Sequence, residues 1–286
     1  MRKTFTTADG ATLSYSDSGS GEVLVLLHGW SQSAAMFRHQ IESFSRERRV
    51  IALDFRGHGL SPQAQHGYRI YRFAADVAEL LRHERIEKAS VLGWSLGASV
   101  LWAMIDLYGT TGLDRLVFVD EPASVMIQPG MSEEDVKNAG ALFDGTTMLA
   151  VAAQIAGPEG HAAREGFLGS MITKGIPKDL RDWLLAENLL VDPRTVAELF
   201  VNHCAIDWSD LFKRIDRPTL VIGGRVSHVD PQSQEWIHGQ VKGSELVIFD
   251  ESQCGAHFPF IEQPETFNAV LAAFLEKGSA KLPLAS

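Results

Sequence analysis

The 286-residue chain has only two cysteines, Cys204 and Cys254. Two thiols make no disulfide framework, and neither sits in a CxxC pair, so both are expected to be reduced. No run of about 18 apolar residues occurs anywhere, which argues against a helical membrane span. Behind Arg2 and Lys3 there is no apolar stretch of the kind that follows the basic residues of a secretory signal, so the expected location is the cytoplasm. Basic residues are in deficit: 26 Lys and Arg stand against 36 Asp and Glu, for a net charge of -10. That balance speaks against nucleic acid or an anionic membrane as partner and leaves a small molecule as the expected one. Nucleotide fingerprints are also missing. Gly19-Ser20-Gly21 lacks both a preceding strand and a third glycine, and there is no GxxxxGK[ST] run. No His, Cys, Asp or Glu cluster has metal-ligand spacing, so no metal and no organic cofactor are expected. Nothing in the sequence marks the oligomeric state.

What is present is the composition of a globular protein, 45% hydrophobic and 22% charged. Short continuous apolar runs recur at Val23–Leu27, Val50–Leu53, Ala89–Leu92 and Leu116–Val119. Continuous rather than alternating runs suit strands buried on both faces of a parallel sheet. Amphipathic stretches separate them near 34–45, 70–83 and 96–108; in the second, Phe73, Val77, Leu80 and Leu81 recur at helical spacing. Strand-like runs vanish from about Pro122 to Cys204. That segment reads as short helices broken at Gly145, Gly157-Pro158, Gly175–Pro177 and Asp192-Pro193. The strand–helix rhythm then returns at Thr219–Ile222, 231–239, Leu246–Phe249 and 264–276. The expected layout is an α/β core from 1–121 and 206–278, a helical cap from 122–205, and a disordered tail from 279–286.

The strongest chemical signal is Gly93-Trp94-Ser95-Leu96-Gly97, between a strand run and a helical pattern. A serine in so tight a turn needs a strained backbone, and flanking glycines remove the clashes. Gly and Ser are common, so the pattern also arises by chance; its strand–turn–helix context favours the functional reading. A second signal is His28-Gly29-Trp30, closing the first buried run, and it must also serve as a structural turn.

With these motifs, the sequence resembles the α/β-hydrolase superfamily along almost its whole length. Asp54-Phe55-Arg56-Gly57-His58-Gly59-Leu60-Ser61-Pro62 is similar to that family's loop after the next strand, and Gly255-Ala256-His257-Phe258-Pro259-Phe260 to the loop that carries its catalytic histidine. The resemblance implies an eight-stranded, mostly parallel twisted sheet with helices on both faces. It implies Ser95 as nucleophile, His257 as base, and the N–H groups of Trp30 and Leu96 as the oxyanion hole.

The acid departs from the family pattern. Most members carry an aspartate after the strand that is here Thr219–Ile222, and that position is Ser227, so Ser227→Ala is expected to cost little. Haloalkane dehalogenases, zearalenone lactonases and cofactor-free quinolone dioxygenases carry it one strand earlier, which points to Asp120. Glu121 and Asp230 are the alternatives; strand alternation turns Glu121 away, and Asp230 precedes Pro231 as a helix cap. Trp94, Trp183 and Phe258 are candidate substrate contacts, with core packing the competing reading. The expected activity is hydrolysis of a carboxylic ester or lactone of an apolar small molecule. The alternatives are a cofactor-free dioxygenase of the 3-hydroxy-4-quinolone type, a non-haem haloperoxidase or perhydrolase using the same triad, and a non-enzymatic receptor. Dehalogenation would need aspartate at position 95.

Overall fold

The apolar runs form the middle of one sheet. In the computed structural model, which describes residues 1–278 and Ala280, the chain opens with β1 (Arg2–Thr6), β2 (Thr12–Ser18) and β3 (Val23–Leu27). There follow α1 (Arg38–Phe44), β4 (Arg49–Leu53), α2 (Ile70–His83), β5 (Ala89–Trp94), α3 (Leu96–Tyr108) and β6 (Leu113–Val119). Five helices come next: α4 (Glu133–Ala139), α5 (Gly145–Ala156), α6 (Gly160–Met171), α7 (Lys178–Leu189) and α8 (Pro193–Cys204). The chain ends with β7 (Thr219–Gly224), α9 (Pro231–Gln240), β8 (Glu245–Phe249), α10 (Pro259–Glu262) and α11 (Pro264–Lys277). The tail expected at 279–286 lies outside the described residues apart from Ala280.

The strand order is β1-β2-β4-β3-β5-β6-β7-β8. Pairing from β4 to β8 is parallel, and β1 and β2 add an antiparallel edge. This is the eight-stranded, mostly parallel sheet that was expected. The runs had to be apolar throughout because alternate residues feed two cores. Val25, Leu27, Val91 and Phe118 pack with α2 and α3 through Phe73, Val77, Leu101 and Trp102. Leu24, Leu26, Leu92 and Val117 pack on the other face with Phe44, Phe267, Leu271 and Phe274 of α1 and α11. The antiparallel pair β1 and β2 lacked such a signal, since only Phe5, Leu13 and Tyr15 of the two are buried apolar residues.

One buried carboxylate ties the loops above this sheet together. Asp54, fully buried, accepts from Ala34 N–H at 2.7 Å and Leu60 N–H at 3.1 Å, and pairs with Arg2 at 2.8 Å. It thereby fixes the far end of the loop that begins at His28. Burial holds the His28 pKa down at about 4, so the ring is neutral: Nδ1–H donates to Gly29 O and Nε2 accepts from Phe55 N–H. Both free cysteines stay apart, Cys204 buried and Cys254 half-buried. Among the described residues, no helix is long and apolar enough to cross a membrane.

Asp54→Ala would leave two loop N–H groups without an acceptor and Arg2 without its partner. We expect it to cost about 2–4 kcal/mol, read as a lower urea midpoint at unchanged slope; a loss under about 1 kcal/mol would remove the role given to Asp54.

Candidate active site

Ser95 occupies the single residue between β5 and α3, with φ 52° and ψ -133°. A non-glycine residue there is strained by on the order of 1–3 kcal/mol, and close packing around it enforces the turn. A Cβ on Gly93 would lie 2.4 Å from Gly97 O, and one on Gly97 would lie 2.1 Å from Leu27 O. Neither position tolerates a side chain. Ser95 N–H donates to Val119 O at 2.9 Å, which holds the turn to β6. The side chain stands at the N-terminus of α3, where the helix dipole favours negative charge.

His257 arrives from the loop after β8, its N–H bonded to Met171 O and its carbonyl accepting from Trp94 Nε1, each at 2.9 Å. Its Nδ1 lies 2.6 Å from Asp120 Oδ2. Asp120 is fully buried just past β6, again at positive φ, 51°. Gly224 N–H reaches its Oδ1 at 3.2 Å, and Ser227 Oγ donates to Oδ2, the same oxygen that meets His257. Ser227, expected to be a bystander, therefore holds the carboxylate in place. Ser95 Oγ and His257 Nε2 are not hydrogen-bonded to one another; such contacts are often loose before a substrate binds.

The other two candidate acids are placed elsewhere. Glu121 points away from His257, and its Oε1 takes hydrogen bonds from Ser99 Oγ and His203 Nε2, each at 2.6 Å. Asp230 is exposed and accepts from Gln232 N–H at 2.9 Å, capping α9. Of the three, Asp120 alone reaches the imidazole.

Trp30 and Leu96 flank Ser95, and among the described residues neither backbone N–H has a protein acceptor. The loop that carries Trp30 is fastened to the helices inserted after β6. Trp30 Nε1 donates to Val196 O at 3.0 Å, and Ser31 Oγ to Asn188 O at 2.8 Å. The buried Arg164 guanidinium bonds Ser31 Oγ, Asn188 Oδ1 and Val191 O. With no carboxylate in contact, burial draws the Arg164 pKa down to about 10.

A narrow cavity of about 30 Å³ opens beside Ser95, far below the roughly 300–1,000 Å³ usual for ligand pockets, so its walls must part to admit more than a small group. Trp30, Val125, Leu142, Phe167 and Phe200 supply apolar walls, while Glu121, His203 and His228 supply polar ones. Trp94, Trp183 and Phe258 are not among its lining residues. Trp94 and Phe258 pack together behind His257, their rings 4.7 Å apart, and the Trp183 ring lies under the Arg38 guanidinium at 4.1 Å. Phe167, Phe200, His203 and His228 were not singled out in the sequence, where their spacing is that of any packed helix or loop.

The alpha/beta hydrolase family model matches residues 24–270. The AB hydrolase superfamily protein YisY of Bacillus subtilis (strain 168) is 28% identical over 94% of this chain and 97% of its own length. A non-heme haloperoxidase of Rhodococcus erythropolis is 26% identical over 95% and 98%. Among solved structures, the esterase RhEst1 of Rhodococcus sp. ECU1013 superposes with a TM-score of 0.82 at 27% identity, covering 96% of this chain and 98% of that one.

If Asp120 serves His257, Asp120→Asn should lower kcat/KM on p-nitrophenyl acetate by about 10⁴, by analogy with a protease triad stripped of its carboxylate. Ser227→Ala, which removes one hydrogen bond to that carboxylate, should cost about tenfold. Adding Ser227→Asp to Asp120→Asn should restore at least tenfold, because Oγ already stands within reach of the acid's position. A mild Asp120→Asn together with a severe Asp230→Asn would reverse the assignment.

Proposed function

The chain belongs to the alpha/beta hydrolase family, and on that premise we propose that it is a serine hydrolase that cleaves a carboxylic ester or lactone of a small, largely apolar molecule through an acyl-enzyme on Ser95. The observation that carries this reading is the 2.6 Å contact between His257 and a buried Asp120, beside a strained serine that opens on an apolar cavity. Ser95 Oγ attacks the carbonyl carbon as His257 Nε2 takes its proton. Asp120 fixes the imidazole with Nδ1–H toward the carboxylate and stabilises the cation that forms. The N–H groups of Trp30 and Leu96 receive the oxyanion, each donor being worth about 10²–10³ in rate by analogy with other oxyanion holes. His257 then protonates the departing alcohol oxygen, which stays tethered when the substrate is a lactone. Water, deprotonated by His257, releases the acid and restores Ser95.

Residues 122–205 act in this reading as a cap, since Leu142, Phe167, Met171, Phe200 and His203 close the cavity over Ser95. Location in the cytoplasm is part of the same proposal. A second reading is favoured by the full-length similarity to a protein named a haloperoxidase: hydrogen peroxide in place of water would turn the same acyl-enzyme into a peracid.

A serine-directed phosphonate should label Ser95 alone, and p-nitrophenyl esters should give an acyl-enzyme burst. Ser95→Ala and His257→Ala should each lower turnover by several orders of magnitude, because such residues act as a unit. A Ser95→Ala variant that keeps most of its activity while His257→Ala has none, with oxygen consumed on a hydroxyquinolone, would instead mean a dioxygenase. Peracid formation from a carboxylic acid and peroxide, outpacing ester hydrolysis, would favour the second reading.

A further inference from the structure

The polar wall of the cavity is not used by the mechanism above. Glu121 and His203 are both more than nine-tenths buried, at 2% and 6% exposed, yet both line the cavity with Ser95. Glu121 Oε1 already accepts two hydrogen bonds, from Ser99 and His203. Its Oε2 accepts from no group among the described residues, and it is not one of the partnerless atoms sealed from solvent. His228 lines the same cavity, its ring 4.4 Å from that of His257; its Nδ1 is sealed and unpartnered, while its Nε2, also without a partner among the described residues, is not sealed. Burial and the neighbouring His257 hold its pKa well below the ordinary value, so the ring is neutral and has one N–H and one lone pair. A carboxylate oxygen and an imidazole left without partners in an otherwise apolar cavity are costly unless a ligand satisfies them.

We propose that Glu121, His203 and His228 form a subsite for a hydroxyl group of the substrate, so that the enzyme selects hydroxylated esters over their deoxy counterparts. A hydroxyl has both functions that the wall calls for: it donates to Glu121 Oε2 and accepts from His228 Nε2–H. An ammonium group fits less well, because His203 already stands against the Glu121 charge. His203, bonded through Nε2, orients the carboxylate. The inference rests on the ester-hydrolase reading for its choice of substrate.

The test uses methyl phenylacetate and its three ring-hydroxylated isomers, in which a methylene insulates the ester from the ring substituent. Wild-type enzyme should favour at least one hydroxylated isomer by about tenfold or more in kcat/KM, chiefly through KM, as expected when a buried polar site is left unpaired by the deoxy analogue. The same preference should appear in the dissociation constants of the four esters for Ser95→Ala, followed by tryptophan fluorescence. Glu121→Gln and His228→Phe should each bring the hydroxy-to-deoxy ratio close to one. A purely structural tie between α8 and the end of β6 predicts otherwise: all four esters would suffer equally and the ratio would persist. Four esters within about twofold in the wild type, a ratio unchanged in Glu121→Gln, or no binding of any of them to Ser95→Ala would overturn the subsite. Selective binding to Ser95→Ala without any turnover by the wild type would uphold the subsite and overturn the hydrolase reading alone.

Discussion

Ser95 and Asp120 sit at the same edge of the sheet, one past β5 and the other past β6, and each holds a positive φ that its side chain disfavours. The backbone there could relax only by breaking the ladder that continues into the turns. Ser95 N–H is bonded to Val119 O and Asp120 N–H to Ile222 O, so three neighbouring strands hold the two strained residues. The sum is of order a few kcal/mol, small beside the burial of strands apolar on both faces. Strain of this size persists only where the surroundings over-determine the geometry, and here glycines at 93 and 97 admit the close packing that a Cβ would block. Ser95 and Asp120, the proposed nucleophile and acid, are therefore placed by one constraint, and His257 is brought in from a separate loop.

The side of the site that carries Trp30 depends on different contacts. The loop from His28 to Ala34 is anchored below by Asp54 and above by the α6–α8 region, through Trp30, Ser31 and Arg164. Arg164 is hydrogen-bonded by neutral acceptors alone, and the charge of the more distant Asp192 offsets its desolvation only in part. Such a guanidinium is an expensive fastener, and displacing α6 would expose it to water at the cost of those bonds. Movement of the inserted helices would thus be felt at Trp30 N–H directly, by way of Ser31, with no change at Ser95 or Asp120.

How much of this could be read from the residues follows from the same physics. Strands β3 to β7 announced themselves because burial on two faces leaves few polar positions, β8 because four of its five residues are apolar although it is the half-buried far edge, and the elbow because a serine between glycines has few other uses at the end of such a strand. Strands β1 and β2 did not, since an edge pair half open to water spends only Phe5, Leu13 and Tyr15 on the core. Aromatic residues were the least legible. Trp94 and Phe258 adjoin the motif residues in sequence yet face the core, because the turn that exposes Ser95 points its neighbour the other way. Phe167, Phe200, His203 and His228 reach the cavity only through helix packing and loop closure, which no local pattern encodes.

The pair Asp120–Glu121 shows why neighbouring carboxylates need not compete. Extended backbone sends consecutive side chains to opposite sides, and the left-handed turn at Asp120 does not undo this. One acid meets His257, Ser227 and Gly224; the other meets Ser99 and His203. The two hydrogen-bond sets share no atom. Each carboxylate is buried and each has its own imidazole, so neither imidazole is drawn off by the other acid. With Ser227 as a donor rather than a second carboxylate, only one negative charge stands behind His257. An aspartate there beside Asp120 would place two like charges within hydrogen-bond distance, favouring protonation of one of them. Serine at 227 thus suits the proposed acid at Asp120: it satisfies the carboxylate from the position where a second acid would repel it.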